Sequence, residues 1–183
     1  MIDREVKRSL GQMIKGVQVV GASDGERARL YCSHWICQVS FEEPILMASV
    51  SPKHDTYPLI RDTGRWSVSL LAADQVAEGQ YFSYPGRRFR YLATEYVTDW
   101  DGLPVVQNAI AWLRCETIAV EEAPGGVALD HHLFFGRVTA VQPRRLGEPP
   151  LLYSSRLGWR ATGGAAREPG TSIRDALLAR LEE

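Results

Sequence analysis

"CSHWICQVSFEEPILMASV", Cys32 to Val50, places polar, hydrogen-bonding side chains immediately before an apolar run. Cys32, Ser33, His34, Gln38 and Ser40 precede Pro44, and Ile45 to Val50 then reads as a buried strand. A hairpin with a purely structural role carries Gly, Asn or Asp at its turn and plain alternation on either side. None of those turn residues falls between Cys32 and Phe41. The stretch reads as a strand edge against which something polar leans.

Working outward, the chain is a succession of strands with turn signals between them. Gly16 to Ala22 is a Val-rich strand, Asp24-Gly25 favours a two-residue hairpin loop, and Arg27 to Ser33 is the partner strand. Upstream, Val6, Leu10 and Met13 fall on one side of a short N-terminal helix. Downstream, Asp55 or Thr56 caps a short helix through Leu59 and Ile60, closed by Gly64. Trp66, Val68 and Leu70 then share one face of a strand, and Ala73 to Phe82 has helical composition. Ala109 to Val120 alternates as a long strand with Ile110, Trp112, Ile118 and Val120 as expected core. "DHHLFFGRVTAVQ" is a second long strand in which Gly136 marks a bulge or a close approach. "PLLYSSRLGWRA" suggests a last strand pair, and a C-terminal helix at about 171–183 repeats Ile173, Leu177 and Leu181 at helical spacing. Six or seven strands with only short helices predict a mainly β, antiparallel barrel, since long strands bent at Gly16, Gly21 and Gly136 suit closure. With no internal repeat or linker, the 183 residues are expected to form one domain.

Composition narrows the function. Apolar residues make up 45% and charged residues 23%, ordinary for a soluble globular protein. A formal net charge of −1 gives no reason to expect nucleic acid or an anionic membrane. No apolar run is long enough to span a membrane, and "MIDREVKRSLGQM" lacks the apolar core of a secretory signal. Three unpatterned cysteines point to structural thiols in a reducing cytoplasm, with no metal site.

The chain has no GxGxxG after a strand, no Walker motif, no HExxH and no GxSxG elbow. Asp130-His131-His132 offers two imidazoles, but neighbours on a strand point to opposite faces and cannot grip one metal. A phosphate can still be held by hydroxyls, backbone N–H groups and a cation. Ser33, Ser40, Ser51, Lys53, His54 and Thr56 supply such a set in sequence order, with Thr56 at a helix start. On spacing alone, a cap and a turn are the simpler account of Thr56 and Ser51.

Taken together, Cys32-Ser33-His34-Trp35, Gln38-Val39-Ser40, Thr56 to Ile60 and Gly64-Arg65-Trp66 resemble the flavin reductase-like, FMN-binding split-barrel family. The likeness continues through "YFS", "RRF", Asp130-His131 and "PLLY", and covers most of residues 10 to 160. Within the family it is most like ferric or flavin reductase and flavoredoxin-type members. The resemblance implies a homodimeric split barrel that binds FMN, or FAD in some members. By position it assigns the flavin to Cys32, Ser33, His34, Trp35, Gln38 and Ser40, and its phosphate tail to Ser51, His54 and Thr56. Phe82, Ser83 and Arg88 are expected to close the site, and His131 matches the family's strand histidine beside the nicotinamide. The implied activity is hydride transfer from NADH or NADPH to flavin, with reduced flavin supplied to an oxygenase partner or another electron acceptor. A flavoredoxin-like electron-transfer protein and a flavoenzyme acting on an organic substrate are the alternatives. His34 departs from the small residue usual there, and Asp55 adds negative charge beside the expected phosphate contacts.

Overall fold

The computed structural model describes residues 2–84 and 94–162. The C-terminal helix expected at 171–183, together with Arg88 and the "RRF" motif, lies outside the described residues.

The main sheet has seven strands: β2 (Gln18–Ser23), β3 (Ala28–Ser33), β4 (Ile36–Ser40), β5 (Ile45–Val50), β6 (Arg65–Leu70), β9 (Ala111–Glu121) and β10 (His132–Pro143). They pair antiparallel in the spatial order β3-β2-β6-β9-β10-β5-β4. β3 and β4 therefore stand at opposite edges of the sheet, yet only His34 and Trp35 separate them in sequence. So short a link forces the two edges together at this end. The sheet curls into a barrel whose seam, among the described residues, has no strand pairing between β3 and β4, and the "SHW" step crosses that seam.

Curvature is built into β10. Its pairing with β9 slips between Phe135 and Gly136 and again between Val138 and Ala140. A Cβ on Gly136 would run into the Trp66 ring, so glycine serves both as bulge and as close approach. The Asp24-Gly25 turn forms with Gly25 at φ +93, although Asp24 pairs with Arg27, so Gly25 and Glu26 are its central residues.

The barrel interior is filled by Val20, Tyr31, Ala48, Val50, Trp66, Val68 and Phe134. Helix α2 (Thr56–Thr63) contributes Tyr57, Leu59 and Ile60 to the same core and ends at Gly64, whose φ of 67 is the left-handed cap. The outer face of β2, β3 and β6 carries a second core. It is covered by α3 (Val76–Ser83) and the hairpin of β7 (Val97–Trp100) and β8 (Leu103–Val106). The remaining cover is a small sheet of β1 (Lys15–Gly16), β11 (Leu151–Ser154) and β12 (Gly158–Ala161). Alternation on β6 serves both cores. Trp66 and Val68 point inward, while the Ser67 hydroxyl donates to Pro104 O at 2.6 Å and Ser69 Oγ accepts from Val106 N at 2.9 Å.

Two expectations need correcting. Ile118 and Val120 are 45% and 41% exposed, because the distal half of β9 runs beyond the packed layers. The N-terminal helix α1 (Arg4–Leu10) stops before Met13 and buries none of its residues, so Val6 and Leu10 stay half-exposed and join no core. The β7–β8 hairpin, whose turn holds Asp101 and Gly102 at positive φ, was not anticipated.

Candidate functional site

Beside the seam lies a cleft of about 580 Å³, the size of a small-molecule site. Its wall comes from Cys37, Met47, Ser49 and Leu133, on the outer face of β4, β5 and β10, while Ile36, paired with Ala48, borders the cleft but packs its side chain against the barrel core. Its rim comes from His34 and Trp35 on one side and Met13, Ile14 and Lys15 on the other. The register explains the wall: Leu133 pairs with Ser49, Phe135 with Met47, and Met47 with Cys37, so their side chains share one face.

The "SHW" step is fixed locally. Ser33 Oγ accepts from Trp35 N at 3.2 Å, and the Trp35 carbonyl accepts from Ser49 N at 3.0 Å. Trp35 is held with its ring 49% exposed. His131 meets it edge to face at 4.9 Å, so the two residues expected to flank flavin and nicotinamide are brought together. The His131 Nδ1 faces Asp130 Oδ1 at 3.0 Å, and that imidazole holds the Asp130 carboxyl below its usual range. Because a carboxylate only accepts, Nδ1 is the ring nitrogen that donates here, and Nε2 points away from Asp130. His132 points the other way, as alternation required. Its Nδ1 lies 2.7 Å from the Tyr57 hydroxyl and 3.2 Å from Glu122, which makes it a satisfied strand residue.

His34 is stacked on Tyr153 at 4.3 Å and 10°, with Trp159 edge-on at 5.8 Å. Burial, aided by the Lys15 ammonium, pushes its pKa down to about 4, so it is neutral at ordinary pH. Cys32 Sγ sits 3.8 Å from His34 Nε2; burial drives that thiol up to about 11, partly offset by a hydrogen bond with Ser83. Ser83 thus reaches the seam. Cys115 is also inert, pushed up to about 12 by burial. Cys37 corrects the expectation of buried thiols, since it is exposed in the cleft wall.

The residues expected at the flavin's phosphate tail lie at the start of α2. Ser51 is two residues beyond the cleft's Ser49 and accepts from Lys53 N at 3.3 Å. His54 stacks on Tyr31 at 4.6 Å. Thr56 is fully buried, and its hydroxyl, like that of Tyr31, has no hydrogen-bond partner among the described residues. A buried hydroxyl left unpaired costs free energy, so the Thr56 hydroxyl at a helix N-terminus suits an acceptor-bearing ligand such as a phosphate tail.

Other expected contacts fall elsewhere. Phe82 is buried in the second core among Val17, Val19 and Leu71. Gln38 and Ser40 sit on a bulge at the far end of β4, where Gln38 Nε2 donates to the Ser40 carbonyl at 2.9 Å. The cleft residues missed from sequence include Met13, Ile14, Lys15, Cys37, Met47, Ser49 and Leu133. Leu133 was legible: two residues beyond His131, it shares that histidine's face.

Comparison with known proteins agrees with this geometry. The model of the flavin reductase-like domain matches residues 10–157. The reductase component of 4-hydroxyphenylacetate 3-monooxygenase from Thermus thermophilus is 35% identical over 156 residues, covering 84% of this chain and 93% of that protein. An NADH-dependent flavin reductase of a Rhodococcus species is 27% identical over 139 residues, 73% of each chain. Among solved structures, the styrene monooxygenase flavin reductase of Pseudomonas putida S12 superposes with a TM-score of 0.74 at 24% identity, covering 90% of this chain and 99% of that one. A split barrel with its cleft beside the seam, matched over most of its length, places the chain in the flavin reductase-like domain family.

Proposed function

We propose that the chain is an NAD(P)H-dependent flavin reductase that binds FMN in the cleft beside the seam and delivers reduced flavin to a separate oxygenase. The observation that carries this reading is the cleft itself: an apolar wall of Met47 and Leu133, with Trp35 and His131 in contact at its edge. A flat tricyclic ring with a polar rim asks for that combination. Bound flavin supplies the acceptor for a hydride from a reduced nicotinamide. The protein's own task is orientation and exclusion of water, which fits a cleft in which no acid–base pair stands among the described residues.

Met47 and Leu133 support the ring, and His34 adds a neutral imidazole at the rim. Ser51, His54 and Thr56 hold the tail, with Lys53 close enough to Asp130 to act on its charge and supply a cation at that end. His131 orients the nicotinamide, its Nε2 accepting from an amide N–H of the carboxamide. Exposed Met13, Ile14, Val39 and Phe41 around the seam support a homodimer that covers them. The naming of the Thermus relative as a monooxygenase reductase component supports an oxygenase as acceptor.

The test is the visible spectrum of the purified protein with FMN, before and after NADH under argon. Flavin uptake followed by bleaching is the expected result. A protein that takes up no FMN and oxidises neither NADH nor NADPH refutes the reading, and sedimentation of the FMN-loaded protein reads the homodimer.

A further inference from the structure

A second groove, of about 430 Å³, adjoins the cleft and shares Leu10, Lys15 and Trp35 with it. Arg4, Lys7, Arg8, Lys15 and Arg156 line it, and among the described residues no carboxylate does. Arg4, Lys7 and Arg8 stand at i, i+3 and i+4, so α1 turns all three cations to one face. The acids of this segment are elsewhere: Asp3 caps the helix through Glu5 N and Val6 N, and Glu5 lies off the cationic face. The β11–β12 turn brings Arg156 to the opposite wall. None of the five cations makes a salt bridge among the described residues.

Like charges on one helix face repel, and a solvated face normally mixes signs. In a chain of net charge −1, five unneutralised cations around one concavity raise the local concentration of anions. Ile2, Leu10 and Trp35 give the same groove an apolar floor. Guanidinium forks match phosphate oxygens, and the floor suits a ribose or a base.

We propose that this groove binds the adenosine diphosphate half of a dinucleotide whose ring end lies in the neighbouring cleft. The proposal rests on the flavin reductase reading for the ring end. It also accounts for dinucleotide recognition in a chain without a glycine-rich phosphate loop, because side-chain cations replace the backbone N–H cradle. Two dinucleotides carry this half, the nicotinamide donor and FAD.

The probe is ADP itself, titrated calorimetrically into the FMN-loaded protein at low and moderate salt. Wild-type protein is expected to bind ADP, and salt to weaken it. The double variant Arg4→Glu/Arg8→Glu, and separately Arg156→Glu outside the helix, are expected to weaken it about tenfold. These side chains are exposed, so circular dichroism should report an unchanged fold. Two arms identify the source. If the KM for NADH rises about tenfold more than that for reduced nicotinamide mononucleotide, the donor's ADP half sits there. If FAD affinity falls more than FMN affinity, the flavin's does. Wild-type protein that ignores ADP, or variants that bind it as well as wild type, overturn the proposal. Protein that binds ADP in this groove yet transfers no hydride to flavin keeps it and refutes the function instead.

Discussion

The ribbon of β5 and β10 has two faces, and they differ in how completely they are packed. On the barrel side, Ala48, Val50 and Phe134 are 1%, 0% and 0% exposed and meet Tyr57 and Trp66. On the cleft side, Met47, Ser49 and Leu133 are half-buried and line the open cleft. Period-2 alternation assigns one set of strands to both tasks. One face holds the fold, and its reverse is left incompletely packed for a ligand.

The largest expected effect tests that asymmetry. Phe134→Ala should cost about 3–5 kcal/mol, since it empties a fully buried ring site. At roughly 2–4 °C per kcal/mol for a chain of this size, the melting temperature falls by about 6–20 °C. Met47→Ala on the cleft face should cost about 1 kcal/mol and weaken flavin binding instead. Equal stability losses at the two positions break the comparison.

The adjacent histidines carry the same contrast into chemistry. His131→Ala is expected to lower NADH turnover about tenfold to a hundredfold while flavin affinity stays within about twofold. His132→Ala should lower stability by about 1–2 kcal/mol, by stranding the Tyr57 hydroxyl, and leave turnover close to wild type. Unchanged NADH oxidation in the first variant removes His131 from the site.

A third expectation concerns pH. The folded protein holds His34 at about 4, below the 6.5 of a free imidazole. As pH falls below 6.5 the unfolded chain takes up a proton that the folded chain refuses. Stability from this residue is thus intact above 6.5, declines down to about 4, and is constant below that. Urea melts between pH 7 and 4 should show a shallower decline for His34→Phe, which keeps an aromatic ring against Tyr153. Parallel declines in the two proteins show that the imidazole is not what titrates.

These effects also mark what the sequence made legible. The strands, the Gly136 bulge, the α2 cap at Gly64 and the opposite aims of His131 and His132 follow from local periodicity and backbone sterics, which act within a few residues. Ile118 and Val120 alternate as core residues do, but alternation reports a face, and only the tertiary arrangement decides whether a layer covers it. Phe82 behaves likewise: it follows the expected segment, but α3 turns its ring into the second core. The β7–β8 hairpin had a signal, the Asp101-Gly102 pair, in a stretch whose strands are short and dominated by one buried run. The cleft wall depends on register between β4, β5 and β10, a relation between distant segments.

The smallest effect on the unliganded protein is the most specific for the site. Thr56 is fully buried with an unpaired hydroxyl at the start of α2. If packing alone explained it, valine, of the same shape and branching, would serve as well or better, because an unpaired buried hydroxyl is a net cost. Thr56→Val should therefore leave the flavin-free protein as stable as wild type, or raise it by about 0.5–1 kcal/mol. If the hydroxyl awaits a phosphate oxygen, the same change should weaken FMN about fivefold to tenfold and riboflavin, which lacks the phosphate, hardly at all. Equal losses for FMN and riboflavin place the tail elsewhere. A destabilised flavin-free protein shows that the hydroxyl already has a partner within the fold. The sign of the stability change and the FMN-to-riboflavin ratio together separate a binding group from a packing residue at one atom's cost.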